Sequence, residues 1–130
     1  MRDSGFKEGG PMTFGDYLGL ETKRIEGGAE VRLEIKAHAL NSLGVAHGGV
    51  ICSLVDHAIG AAVAFALGRT RRAVTAELKV NFLAPITGGV LIARGRLLRE
   101  GKRLIVGEAE IVDQDGRMIA KALGTWAVVE

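Results

Sequence analysis

The run Asn41-Ser42-Leu43-Gly44-Val45-Ala46-His47-Gly48-Gly49 leads into an apolar segment, 50 to 67, that carries one carboxylate, Asp56. A histidine and two glycines at the start of a helix leave backbone N–H groups without internal partners, so the turn can hold an anionic or carbonyl oxygen. Glycine also lets a ligand come close. Asp56 is the second chemical group, because an ionised carboxylate in apolar surroundings loses hydration worth roughly several kcal/mol unless something faces it. It can act as a general base on water or attack an acyl carbon itself. The competing reading is a structural ion, paired with His57 or with an arginine across a subunit interface. Gly48 and Asp56 are eight residues apart, about 12 Å on a helix rising 1.5 Å per residue, too far for both to address one carbonyl from the same helix. A two-fold contact that sets Gly48 of one subunit against Asp56 of its partner meets that geometry and makes two sites.

Other polar residues around these two have a chemical and a structural reading each. His47 can hydrogen-bond beside the substrate oxygen or orient Asn41, or it can simply fix the loop entering the helix. Asn41 suits a polar contact to a ligand, and equally a turn in which its side chain bonds nearby backbone. Cys52 with His47 or His57 lacks a third orienting group and reads as a small buried thiol. The three histidines and one cysteine show no metal-ligand spacing, so no metal or other cofactor is required. Arg69, Arg71 and Arg72 follow the helix as a basic run, suited to phosphate groups or to plain solvation.

The elements that position these residues are readable from the pattern of glycines and apolar residues. Glycine is unusually frequent, 19 of 130, and Gly27-Gly28, Gly88-Gly89, Gly101 and Asp115-Gly116 each separate runs rich in Val, Ile, Leu and Ala, as in antiparallel hairpins. Val31, Leu33 and Ile35 alternate with Arg32, Glu34 and Lys36, the mark of a half-buried strand. Strands are expected over 19–26, 29–37, 71–83, 89–100, 103–113 and 117–129. One long helix is expected over 48–67, apolar almost all round and therefore covered on most sides, and a shorter one over 12–18. The order β-β-α-β-β-β-β gives an α+β fold, a buried helix wrapped by one antiparallel sheet.

Composition narrows the class further. A 130-residue chain has room for one domain, here 11–130 behind a loose leader over 1–10. With 48% apolar and 25% charged residues the chain is an ordinary globular one, and disorder is disfavoured. The net charge is +2 and only 5% of residues are aromatic, with cations and anions interleaved, which argues against a nucleic-acid partner. Asp56, His57 and Gly60 interrupt the most apolar stretch, against a membrane span. A single cysteine excludes an intramolecular disulfide framework, and cytoplasm is the expected compartment.

The motif Asn41, Gly44 and His47-Gly48-Gly49, then Leu54-Val55-Asp56, then the strand Val74-Thr75-Ala76-Glu77-Leu78-Lys79-Val80-Asn81-Phe82-Leu83-Ala84-Pro85, resembles the hotdog-fold acyl-CoA thioesterases, most closely the phenylacetate-pathway (PaaI-like) branch. Residues 41–86 carry the specific part; 87–129 agree only as three strands. The resemblance implies hydrolysis of an acyl-CoA thioester at a site between two subunits. Asp56 is then base or nucleophile, and the Gly48 N–H polarises the carbonyl. It also implies supporting roles for Asn41 and His47, and a hydroxyl at Thr75 that assists the carboxylate. Gly49, Phe82, Leu83 and Ala84 would meet the substrate, with Arg71 and Arg72 near the coenzyme A phosphates. A homodimer is the smallest unit, and the family often pairs dimers into tetramers. Strict alternation, however, groups Thr75 with Glu77, Lys79 and Asn81, so it reaches the helix side only if the strand bulges. Two other readings are a hydratase or dehydratase on the same fold, which would carry a differently arranged His with an acidic partner, and a non-catalytic acyl-CoA sensor, which would dispense with the carboxylate.

Overall fold

The computed structural model describes residues 12–129, and the expected leader lies outside them. Helix α1 (Phe14–Leu18) is followed by β1 (Glu21–Ile25), β2 (Gly28–Glu34), a 3-10 turn at Ala37–Ala39 and the long helix α2 (Gly48–Leu67). Four strands then complete the chain: β3 (Arg72–Phe82), β4 (Val90–Glu100), β5 (Leu104–Asp113) and β6 (Met118–Val129). They form one antiparallel sheet in the order β1-β2-β4-β5-β6-β3, so β1 and β3 are its edges. All six strands touch α2, which gives the hotdog arrangement. The second strand stops at Glu34 instead of reaching residue 37, and Ala37–Ala39 closes into the 3-10 turn.

Helix α2 is long and apolar enough to cross a membrane by length and composition alone. In this fold it is the core helix: Ile51, Leu54, Val55, Ala58, Ile59, Ala62, Val63 and Leu67 are buried. Full burial of side chains such as Leu54 and Ile59 stabilises by about 1.5–3 kcal/mol each. Its other side, through Cys52, Asp56, Gly60 and Ala61, is half-buried.

The sheet makes room for the helix with a row of small residues in register: Ala29 pairs with Gly95, Gly95 with Ala109, and Ala109 with Ala122. All four are buried. A Cβ on Gly95 would overlap the Ala58 carbonyl and come within 2.8 Å of the Ile59 nitrogen. The neighbouring row pairs Gly107 with Gly124, and a Cβ on Gly107 would reach 2.6 Å from Ile59 Cγ2. At Gly95 the sheet approaches the helix backbone itself, which larger side chains forbid.

Gly95→Ala is expected to lower unfolding stability by about 1–3 kcal/mol or more, since the helix must lift. Gly88→Ala, where a Cβ meets nothing within 4 Å, should be near neutral in the same denaturant titration.

Candidate active site

The first turn of α2 disposes of its N–H groups unequally. His47 is the N-cap; its Nδ1 accepts from the Gly49 N–H at 2.8 Å, and its carbonyl accepts from Val50 at 2.9 Å and Ile51 at 3.3 Å. Nδ1 as acceptor places the ring proton of a neutral His47 on Nε2. The loop end is fixed by the His47 N–H donating to the Ala39 carbonyl at 2.8 Å. Among the described residues the Gly48 N–H has no acceptor. The two glycines therefore differ. A Cβ on Gly49 would sit 3.0 Å from His47 Nδ1, so Gly49 serves the cap and its N–H is taken. A Cβ on Gly48 would meet only the Phe82 ring, at an ordinary 3.6 Å. Tight packing does not account for glycine at 48.

Asn41 builds the loop before the helix: its Oδ1 accepts from the Leu43 N–H at 2.9 Å and the Val45 N–H at 3.1 Å, while its own N–H donates to the Val45 carbonyl at 2.7 Å. Gly44 takes the left-handed conformation that closes this turn, φ +78°. The side-chain oxygen is committed to backbone, and the NH2 end is the part left to address a ligand.

Asp56 stands half-buried on α2, and Thr75 Oγ1 donates to its Oδ1 at 2.7 Å. A bulge makes this possible. Thr75 pairs with Trp126 but Glu77 pairs with Thr125, so Ala76 is the extra residue in β3. Ala73 on one side of it, and Leu78 and Val80 on the other, all pack on the core. Strict alternation cannot place 73 with 78 and 80; the extra residue switches the faces, and Thr75 comes to the helix side. His57, next along the helix, has Nε2 3.0 Å from Thr22 Oγ1 on β1.

A cavity of about 350 Å³ opens at the start of α2, walled by Gly48, Ile51, Phe82, Leu83, Ala84 and Ile86 among others. Its walls are mostly apolar. Ile119 of β6 also lines it, brought there because its carbonyl accepts from the Leu83 and Ala84 N–H groups at 2.8 and 3.2 Å. No motif pointed to Ile119, since strand pairing alone supplies it. Ile86 was likewise missed; the Ala46 N–H donates to its carbonyl at 2.8 Å, which joins the residues after β3 to the turn before α2.

Two expected substrate residues are elsewhere within one chain. Arg71 lies beyond the far end of α2, its guanidinium donating to the Lys102 carbonyl at 3.1 Å and to Glu100 Oε2 at 3.3 Å. Arg72 is exposed at the start of β3. Burial pushes the Cys52 thiol above its ordinary range, which disfavours a thiolate nucleophile.

A family model described as the thioesterase superfamily matches residues 43–120. A putative esterase of Saccharolobus solfataricus is 37% identical over 114 residues, covering 87% of this chain and 75% of that protein. A protein of Bacillus halodurans solved with CoA is 32% identical, with a TM-score of 0.81, covering 87% of this chain and 76% of the other. The PaaI protein of the Escherichia coli phenylacetic acid degradation operon is 29% identical, with a TM-score of 0.80, covering 88% and 83% respectively.

Gly49→Ala is expected to push the His47 ring from its cap and cost about 0.5–2 kcal/mol, as loss of a side-chain cap does. Thermal unfolding beside His47→Ala tests this, and the two losses should not add, since both remove one hydrogen bond.

Proposed function

The chain belongs to the thioesterase superfamily, and on that premise we propose that it hydrolyses an acyl-CoA thioester to the free acid and coenzyme A at a site shared between two subunits. One observation carries this reading. Helix α2 leaves a single first-turn N–H, on Gly48, at the wall of an apolar cavity, and two turns later it bears a carboxylate held by a hydroxyl. The Bacillus halodurans relative solved with CoA supports coenzyme A as the thiol.

The thioester carbonyl oxygen accepts the Gly48 N–H, and the positive end of the helix favours the negative charge that grows there. Thr75 engages Oδ1 of Asp56 and leaves Oδ2 for chemistry. As a base, Oδ2 takes a proton from water while the water oxygen bonds to the acyl carbon; collapse of the tetrahedral intermediate breaks the C–S bond and releases coenzyme A thiolate. As a nucleophile, Oδ2 bonds to the acyl carbon while the C–S bond breaks and coenzyme A leaves as the thiolate; water then cleaves the mixed anhydride to the free acid and the Asp56 carboxylate.

Two subunits are needed because the continuous helix keeps Gly48 and Asp56 about 12 Å apart. Strand β3 is the free edge suited to joining them. Val74, Phe82 and Leu83 on and beside it are more than half exposed, and pairing two such edges covers both.

Free-thiol release from a panel of aromatic and aliphatic acyl-CoAs tests the reading. Asp56→Asn should lower turnover by roughly a hundredfold or more, and Thr75→Val by about tenfold with the fold intact. Full turnover in Asp56→Asn would remove Asp56 from the chemistry. Acyl-CoA binding without any turnover would make the protein a sensor.

A further inference from the structure

The chain's single tryptophan, Trp126, carries a donor that the hydrolytic site leaves unused. The side chain is 3% exposed, and two glycines orient it. A Cβ on Gly124 would lie 2.6 Å from Cζ3, so that edge of the ring rests over the strand's own glycine. A Cβ on Gly60 would lie 3.7 Å from Cζ2 and Nε1, so the opposite edge, with the N–H, faces α2 at Gly60. Among the described residues the indole N–H makes no hydrogen bond. No wholly buried side-chain nitrogen or oxygen among them lacks a partner, so this N–H lies at the sliver of Trp126 that is exposed. A buried ring with a donor open at one edge is costly unless something accepts from it.

That edge faces the Asp56 side of the helix. Gly60 stands one turn after Asp56, and Cβ positions four residues apart on a helix are about 5–6 Å from each other. Trp126 is also the cross-strand partner of Thr75, whose hydroxyl holds Asp56 Oδ1 at 2.7 Å. Helical side chains lean toward the N-terminus, so a side chain at 60 would cover the patch between itself and Asp56. Glycine leaves that patch open. Packing does not require it, since a Cβ would meet the indole at an ordinary distance, and glycine inside a helix costs stability.

We propose that the Trp126 N–H and Asp56 Oδ2 hold the attacking water between them in the gap at Gly60, which makes Asp56 the general base. The proposal rests on the hydrolytic reading above. A gap with a donor on one side and a carboxylate on the other selects an occupant that both accepts and donates. A substrate oxygen without a proton is repelled by the carboxylate, whereas water satisfies both groups. The water accepts from the indole, donates one proton to Oδ2 and keeps a second lone pair for the acyl carbon. As its oxygen bonds to that carbon, the O–H bond breaks, the proton passes to Oδ2 and the carbonyl electron pair moves onto the oxygen at the partner's Gly48. Collapse breaks the C–S bond, and the departing thiolate takes the proton from Asp56. Thr75 thus aims the carboxylate, and Trp126 aims the water.

Because the chain holds one tryptophan, biosynthetic replacement can put benzothienylalanine, with sulfur in place of the N–H, at position 126 alone. The ring and its packing stay, so kcat for acyl-CoA hydrolysis should fall about tenfold with KM changed by less than about twofold, and Trp126→Phe should do the same. In an Asp56→Asn background the replacement should cost nothing further, since both groups hold one water. Gly60→Ala should also lower kcat about tenfold while raising the thermal midpoint, a combination that a packing role does not give. Wild-type kcat in the benzothienyl protein, or an equal loss with and without Asp56, overturns the water site while hydrolysis stands. If the wild type cleaves no thioester, the hydrolytic reading fails and the single indole N–H resonance in a nitrogen-edited spectrum decides the site. Displacement of that resonance by Asp56→Asn upholds a water held between the two groups, and an unmoved resonance overturns it.

Discussion

The depth at which α2 sits in the sheet governs everything else in this molecule. The row Ala29, Gly95, Ala109 and Ala122 removes side-chain bulk from beneath the middle of the helix, and Gly95 lies against the backbone at Ala58 and Ile59. A helix held this close has little freedom to slide or rotate, because packed interiors transmit displacement instead of absorbing it. Asp56 lies two residues before Ala58 on that seated stretch. Its 2.7 Å contact with Thr75 depends on the helix keeping this depth and on the edge strand turning a hydroxyl inward. The bulge at Ala76 does the latter.

Within that frame the start of the helix divides its labour among three consecutive residues. His47 caps, Gly49 yields its N–H and its space to the cap, and Gly48 keeps an N–H unpaired. An unpaired donor at a helix start is ordinary where water can satisfy it. Here it borders an apolar cavity, where a ligand oxygen is the better partner. The Asn41 turn and the joint between Ala46 and Ile86 hold this donor in place without touching a substrate through their backbone groups.

Much of this was legible in the sequence, for identifiable reasons. Alternation at Val31, Leu33 and Ile35 and the three- and four-residue steps from Val50 to Phe65 report local geometry directly, so the strand and helix order follow from them. Glycines between strands are equally local. Gly95 and Gly107 lie inside strands, and their purpose depends on a helix more than thirty residues away in the chain, which no local pattern reports. Thr75 shows the same limit: its hydroxyl is visible, but the face it takes depends on one unpaired residue, Ala76. Ile119 reaches the cavity through strand pairing alone. Arg71 and Arg72 follow the helix in sequence yet lie at the end of it remote from Gly48, and the proposed site would bring them beside the substrate only through a second subunit.

That dependence on a second subunit is the central claim, and subunit mixing tests it most directly. Gly48 is the first residue of α2, a position that tolerates proline, and His47 has the extended backbone, φ −61° and ψ 139°, that a following proline requires. Gly48→Pro therefore deletes one N–H while keeping the helix, and Asp56→Asn deletes the base or nucleophile. Each variant alone should be nearly inactive. If the site is shared, unfolding and refolding the two together pairs an intact Gly48 with an intact Asp56 at one of the two sites in each mixed dimer, and about a quarter of wild-type activity returns. If mixing under conditions that exchange subunits restores nothing, both groups act within one chain or neither acts as described, and the shared site is wrong.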